Sequence, residues 1–115
     1  MLVYRVEGHN GYGPYTFPGF LCGLPEDLSK HPLPKDDGID PNKIVEFHVF
    51  GFDSLDSLQA WFSVDDRRYL LDKGFVIKVY ECPIRRVIQG KRQLVFDRDY
   101  AIPQKTLDIL DFFTK

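Results

Sequence analysis

The sequence predicts an α+β fold in a single domain over residues 1–115: a small, mostly antiparallel sheet, whole or split, with two or three short helices and a long proline-rich loop. Three observations predict it. Several short runs are rich in β-branched and aromatic residues and are bounded by Gly, Pro or Asp. Apolar residues recur at helical spacing in the block after residue 54, at Leu55, Leu58, Trp61 and Phe62 and then Leu70 and Leu71. This block stands between strands instead of alternating with them, which argues against a regularly wound parallel sheet.

Leu2-Val3-Tyr4-Arg5-Val6-Glu7 reads as the first strand, with Leu2, Tyr4 and Val6 on one face and Val3, Arg5 and Glu7 on the other. A glycine-rich aromatic turn follows at once, Gly8-His9-Asn10-Gly11-Tyr12-Gly13-Pro14-Tyr15, and a loop at the mouth of a rigid strand is where binding chemistry is commonly mounted. Residues 8–43 hold six prolines, each of which removes a backbone donor and restricts its predecessor. Only Leu24 to Ser29 there reads as a helical turn, with Pro25 at an early position; the remainder reads as loop, including Asp36-Asp37-Gly38. So long a loop in a small domain tends to be functional.

Residues 44–52, Ile44 to Phe52, form the second strand candidate. Asp53-Ser54 offers an N-cap, with Ser57 or Asp56 three residues on as a weak form of the reciprocal capping pair. Ser63 caps a second helix whose first turn carries Asp65 and Asp66, whose Leu70 and Leu71 face inward, and which stops at Gly74. Phe75 to Cys82 is the clearest strand and ends at Pro83. Ile84 to Ile88 reads as a helical turn closed by Gln89-Gly90, and Arg92 to Arg98 as a fourth strand. The tail, with Thr106 as a candidate cap before Leu107, Ile109, Leu110, Phe112 and Phe113, reads as a short helix or a last extended segment.

Composition narrows the function classes. A hydrophobic fraction of 43% and a charged fraction of 28% are those of a globular chain and exclude wholesale disorder. The aromatic share of 15% suits a small core filled with large side chains. A net charge of −2 argues against general binding of nucleic acid or of an anionic membrane. Arg85, Arg86, Lys91 and Arg92 are a local exception, read as a solvated basic turn. Cys22 and Cys82 form no CxxC pair and no signal-peptide pattern precedes them, so reduced thiols in a cytoplasmic protein are expected, with Cys82 a buried inert thiol. No apolar run is long enough to span a membrane. His9, His31 and His48 lack metal-ligand spacing, so no metal is expected. There is no phosphate-binding loop, dinucleotide fingerprint or GxSxG elbow.

One looser constellation remains. Arg5 lies inside the first strand, Ser54 follows the second just before a helix, and Gln93 opens a later strand. This order resembles the ADP-ribosyltransferase fold in a degenerate form. Members of that family carry an Arg or His on the first strand, a Ser, Thr or Tyr near the end of the second, and a Glu at the start of a late strand. The resemblance implies that Arg5, Ser54 and Gln93 are the catalytic set, with Arg5 against the nucleotide of NAD, and that Tyr12, Gly13, Tyr15 and Phe52 line the ligand. A guanidinium suits phosphate and ribose oxygens. Gln93 departs from the family's glutamate. A neutral amide supplies no negative charge to an oxocarbenium-like centre, so the resemblance implies an NAD-binding cleft with impaired catalysis. Glu7 and Glu81 are the carboxylates in nearby strands that could substitute, and both read as solvent-facing.

The competing reading is a non-catalytic protein-interaction module, such as a small phage or mobile-element protein that blocks a host factor. Small size, an acid-leaning charge and the proline-punctuated loop fit it.

Overall fold

The computed structural model describes residues 1–8, 37–44 and 48–110. The helical turn expected over Leu24–Ser29, most of the proline-rich loop, Cys22, and Tyr12, Gly13 and Tyr15 lie outside these residues.

Strand β1 (Leu2–Glu7) runs antiparallel to β3 (Val76–Glu81), from Leu2 opposite Glu81 to Glu7 opposite Val76. β3 pairs on its other side with β6 (Ile102–Asp108), with a register shift between Val79 and Tyr80. A second antiparallel sheet has the order β2 (His48–Gly51), β5 (Leu94–Asp97), β4 (Val87–Gln89). Among the described residues, one pair joins the backbones of the two sheets. The Tyr4 amide donates to the Phe52 carbonyl and the Phe52 amide to the Tyr4 carbonyl, both at 2.8 Å. The α+β class and the antiparallel, split sheet expected from the sequence are therefore what the chain forms.

Two helices follow the seam. In α1 (Leu55–Trp61) the Ser54 hydroxyl accepts from the Ser57 amide at 3.1 Å. In α2 (Val64–Asp72) the cap is reciprocal: Ser63 Oγ accepts from the Asp66 amide at 3.2 Å, and Asp66 Oδ2 accepts from the Ser63 amide at 2.9 Å. Two orphan donors are thereby satisfied by two short side chains. Arg67 of α2 reaches back to α1, donating to the carbonyls of Phe62 (3.0 Å) and Gln59 (3.1 Å). Gly74, at φ 78°, takes the left-handed conformation that ends α2, a region costly for residues with a Cβ.

β1 and β3 bury both faces. Val6 and Ile77 pack under Phe52, Leu58, Trp61, Phe62, Leu70, Phe75 and Ile109. On the opposite face Val3 and Tyr80 pack with Cys82, Leu94 and Phe96, joining the two sheets. Cys82 is fully buried and free, and burial pushes its thiol up from the ordinary range, as an inert core thiol requires.

Two details differ from the sequence reading, and a third decides between the alternatives it left. Leu71 is 39% exposed, because α2 is covered along the stripe of Leu70 and not of its neighbour. Ile84–Arg86 is a single 3-10 turn, after which the chain extends at once into β4, whose three residues are too few to show a period. Of the two alternatives for the tail, Ile102–Asp108 takes the extended one, because β3 offers it a free edge.

Candidate functional site

Arg5 and Glu7 are two residues apart on one strand, so their side chains leave the same face. That face is the interior between the sheets, where Arg5 is 5% and Glu7 6% exposed. The Arg5 Nε donates to Glu7 Oε2 at 3.1 Å, and its Nη1 donates to the Phe50 carbonyl of β2 at 2.8 Å. The Tyr80 hydroxyl reaches both Glu7 oxygens, at 2.9 and 3.0 Å. Arg98, on the 3-10 turn after β5, adds an ion pair to Glu7 Oε2 at 3.4 Å. One carboxylate thus gathers two guanidinium groups and a phenol from three separate parts of the chain.

Burial, and then the neighbouring Arg98 charge, push Arg5 down to about 10, with Glu7 opposing, so Arg5 stays cationic at neutral pH. Burial, and then the hydrogen bond to Glu7, push the Tyr80 phenol up to about 12. The phenol therefore remains a donor throughout the physiological range. Both Glu7 oxygens accept from donors inside the cluster. The arrangement holds charge; it does not present it.

A pH measurement isolates the phenol. A phenol with a raised folded-state value keeps its proton longer in the folded chain than in the unfolded one. Its contribution is complete below pH 10 and is lost as pH rises through about 12. Tyr80→Phe is expected to cost about 1.5–3 kcal/mol near pH 7, as a hydrogen bond to a charged group does. In urea titrations that deficit narrows between pH 10 and 12. A pH-independent deficit would show that the cost does not come from the titrating hydroxyl's bond to Glu7, since phenylalanine keeps the ring.

The residues anticipated from the sequence fall as follows. Arg5 is in the interior cluster. Ser54 is the α1 cap, and its hydroxyl also donates to Ser57 Oγ at 3.0 Å. Gln93 is buried immediately before β5; its amide donates to Asp37 and its carbonyl accepts from Gly90. Phe52 is core, its ring edge-on to Trp61 and Phe62. Arg5 bonds the Phe50 carbonyl of β2, whereas Gln93 bonds Asp37 and Gly90 at the start of β5. Of the two carboxylates read as solvent-facing, Glu81 is exposed, paired to the terminal ammonium at 2.7 Å, but Glu7 is buried. The Arg5–Glu7 spacing was the available signal for Glu7; Tyr80 and Arg98 carry none without the register.

A second feature lies at the end of the first sheet where β1 begins. Leu2, Glu81 and Ile102 stand opposite one another across β1, β3 and β6 and so share a face. Leu2 is 44% and Ile102 63% exposed, and the adjoining turns add Ile84 (74%) and Tyr100 (47%). Arg86 links the two turns, stacked 3.7 Å over the Tyr100 ring. Among the described residues no group of three or more His, Cys, Asp or Glu could hold a metal ion, and no helix is long and apolar enough to cross a membrane.

The chain is 38% identical over 61 residues to a protein of Enterobacteria phage T4 described as an uncharacterized 19.7 kDa protein in the motB-dexA intergenic region. The match takes in 53% of this chain and 37% of that protein, so the chain spans little more than a third of its relative's length. No solved structure matches it. Residues 1–110, nearly the whole chain, match the family described as Bacteriophage T4 Y00F protein, and to that phage family the chain belongs.

Proposed function

We propose that this phage protein is a non-catalytic module that acts by binding another protein, in the manner of an inhibitor of a host factor. The observation that carries the reading is the set of exposed apolar side chains at the end of the first sheet where β1 begins: Leu2 and Ile102 on one face, and Ile84 and Tyr100 on the adjoining turns. Interface cores are built from such aliphatic and aromatic groups; Glu81, which stands between Leu2 and Ile102, is paired with the terminal ammonium, and Arg86 faces Asp97 at 4.0 Å. The neighbouring edge of β6 supports contact through side chains. Pro103 withholds an amide, Lys105 adds charge, and the register shift disturbs the ladder, all of which blunt strand-to-strand pairing. The partner surface that fits is apolar at its centre and does not add a strand.

The donor set of the interior cluster does not fit NAD. Arg5 would have to leave Glu7 and the Phe50 carbonyl to meet a phosphate, and Ser54 would have to leave its helix cap. The first move would strand a buried charge, at a cost of about 1–3 kcal/mol or more, and the second would remove a helix cap, at about 0.5–2 kcal/mol.

Two measurements test the reading together. A photo-crosslinking residue at position 84, in chain added to host-cell extract, is expected to form one saturable adduct. Excess wild-type chain competes for it; the Tyr100→Ala/Ile102→Asp variant does not. NAD leaves Tm unchanged, whereas a ligand at a hundred times its Kd stabilises by about 2.7 kcal/mol. Adducts spread over many proteins without competition overturn the proposal. A Tm rise with NAD that Arg5→Ala abolishes does so in favour of an ADP-ribosyltransferase-like nucleotide site.

A further inference from the structure

Asp37 is the most deeply buried acidic side chain among the described residues, at 1% exposure. Its carboxylate meets backbone amides of the turn between β4 and β5. The Arg92 amide donates to Oδ1 at 2.9 Å and to Oδ2 at 3.0 Å, and the Gln93 amide donates to Oδ2 at 2.9 Å. The preceding amide, that of Lys91, donates to the Asp37 carbonyl at 2.8 Å. Three successive N–H groups thus converge on one residue more than 50 positions earlier. The turn is closed by the Gly90 amide on the Gln93 carbonyl at 2.8 Å. Gly90 is required by the same contact: a Cβ there would collide with Asp37 Oδ2 and stand 2.7 Å from the Gln93 carbonyl oxygen.

Consecutive amides pointing into one concavity form an anion-binding nest, with fixed partial positive charge and no side chain needed. The exposed Lys91 and Arg92 side chains raise the local potential further. We propose that the β4–β5 turn is a carboxylate receptor made of backbone amides and that Asp37 is its tethered ligand, so that removing the Asp37 side chain opens a site for a small carboxylate anion. The tether explains why the receptor is closed to solutes in the native chain. An intramolecular carboxylate acts at an effective concentration that a dilute external one does not match. This inference is independent of the protein-binding reading, since it concerns a different part of the molecule and a different chemistry.

The test uses the full chain, with formate as the probe and chloride at equal ionic strength as the control. In Asp37→Ala, formate is expected to move the Arg92 and Gln93 amide-proton signals downfield in a saturable way and to raise Tm, while chloride does neither. In the wild type the same formate concentrations leave both signals in place. Asp37→Asn keeps the volume and removes the charge, so its Arg92 and Gln93 signals are expected upfield of the wild type, with or without a folded alanine variant. Formate that moves neither signal in Asp37→Ala, or an asparagine variant whose two signals coincide with the wild type, overturns the proposal.

Discussion

Glu7→Ala is expected to cost about 3–5 kcal/mol, the penalty for removing one partner of a buried ion pair. Domains are held by only about 5–15 kcal/mol, so this one change removes a large share of the stability. Alanine leaves the Arg5 guanidinium, 5% exposed, without its carboxylate, and the Tyr80 hydroxyl without the acceptor it now shares between two oxygens. Arg98 suffers less, because its half-exposed side chain can turn to water. A buried charge pair replaced as a whole by apolar groups of similar volume is often neutral or stabilising. Arg5→Met/Glu7→Leu/Tyr80→Phe is therefore expected to recover most of what Glu7→Ala loses. Urea denaturation at neutral pH measures both. A Glu7→Ala midpoint indistinguishable from the wild type would mean that the carboxylate is in water in the folded chain.

The same cluster shows what the sequence could and could not convey. β1 is legible to the residue, because its six residues carry both the alternation and the bounding glycine. The helix caps at Ser54 and Ser63 are legible because capping is local chemistry. The Arg5–Glu7 pair is half legible: the spacing puts both groups on one face, but nothing local says that a second sheet covers that face. That cover comes from Leu94 and Phe96, almost ninety residues later, through a register set only by the assembled fold. Asp37 stands at the same limit. Its neighbours Asp36 and Gly38 mark a loop, and only the hairpin brought up against it turns that loop residue into the ligand of three amides. β4 is too short to show a period, and although Val87 and Ile88 favour a strand, the pairing that fixes it comes from β5.

That dependence on assembly makes the seam between the sheets a place where one methyl group matters. Among the described backbone groups, Tyr4 and Phe52 alone pair β1 directly to the β2 segment. Gly51 lies beside them. A Cβ at Gly51 would stand 2.7 Å from Val3 Cγ1, 3.0 Å from the Phe96 ring and 3.1 Å from the Tyr4 carbonyl oxygen. The valine methyl can rotate away; the Tyr4 carbonyl cannot, since it accepts from the Phe52 amide at 2.8 Å. Gly51→Ala is therefore expected to cost about 1–3 kcal/mol through overpacking, with Gly51→Val at or above the upper end. The position of the damage is the sharper prediction. Because the clash pushes β1 and β2 apart, the Tyr4 and Phe52 amides should lose hydrogen-exchange protection first, while the Val3 and Ile77 amides of the first sheet keep theirs. A uniform loss across both sheets would mean that the seam has no separate opening and that the two sheets melt as one unit.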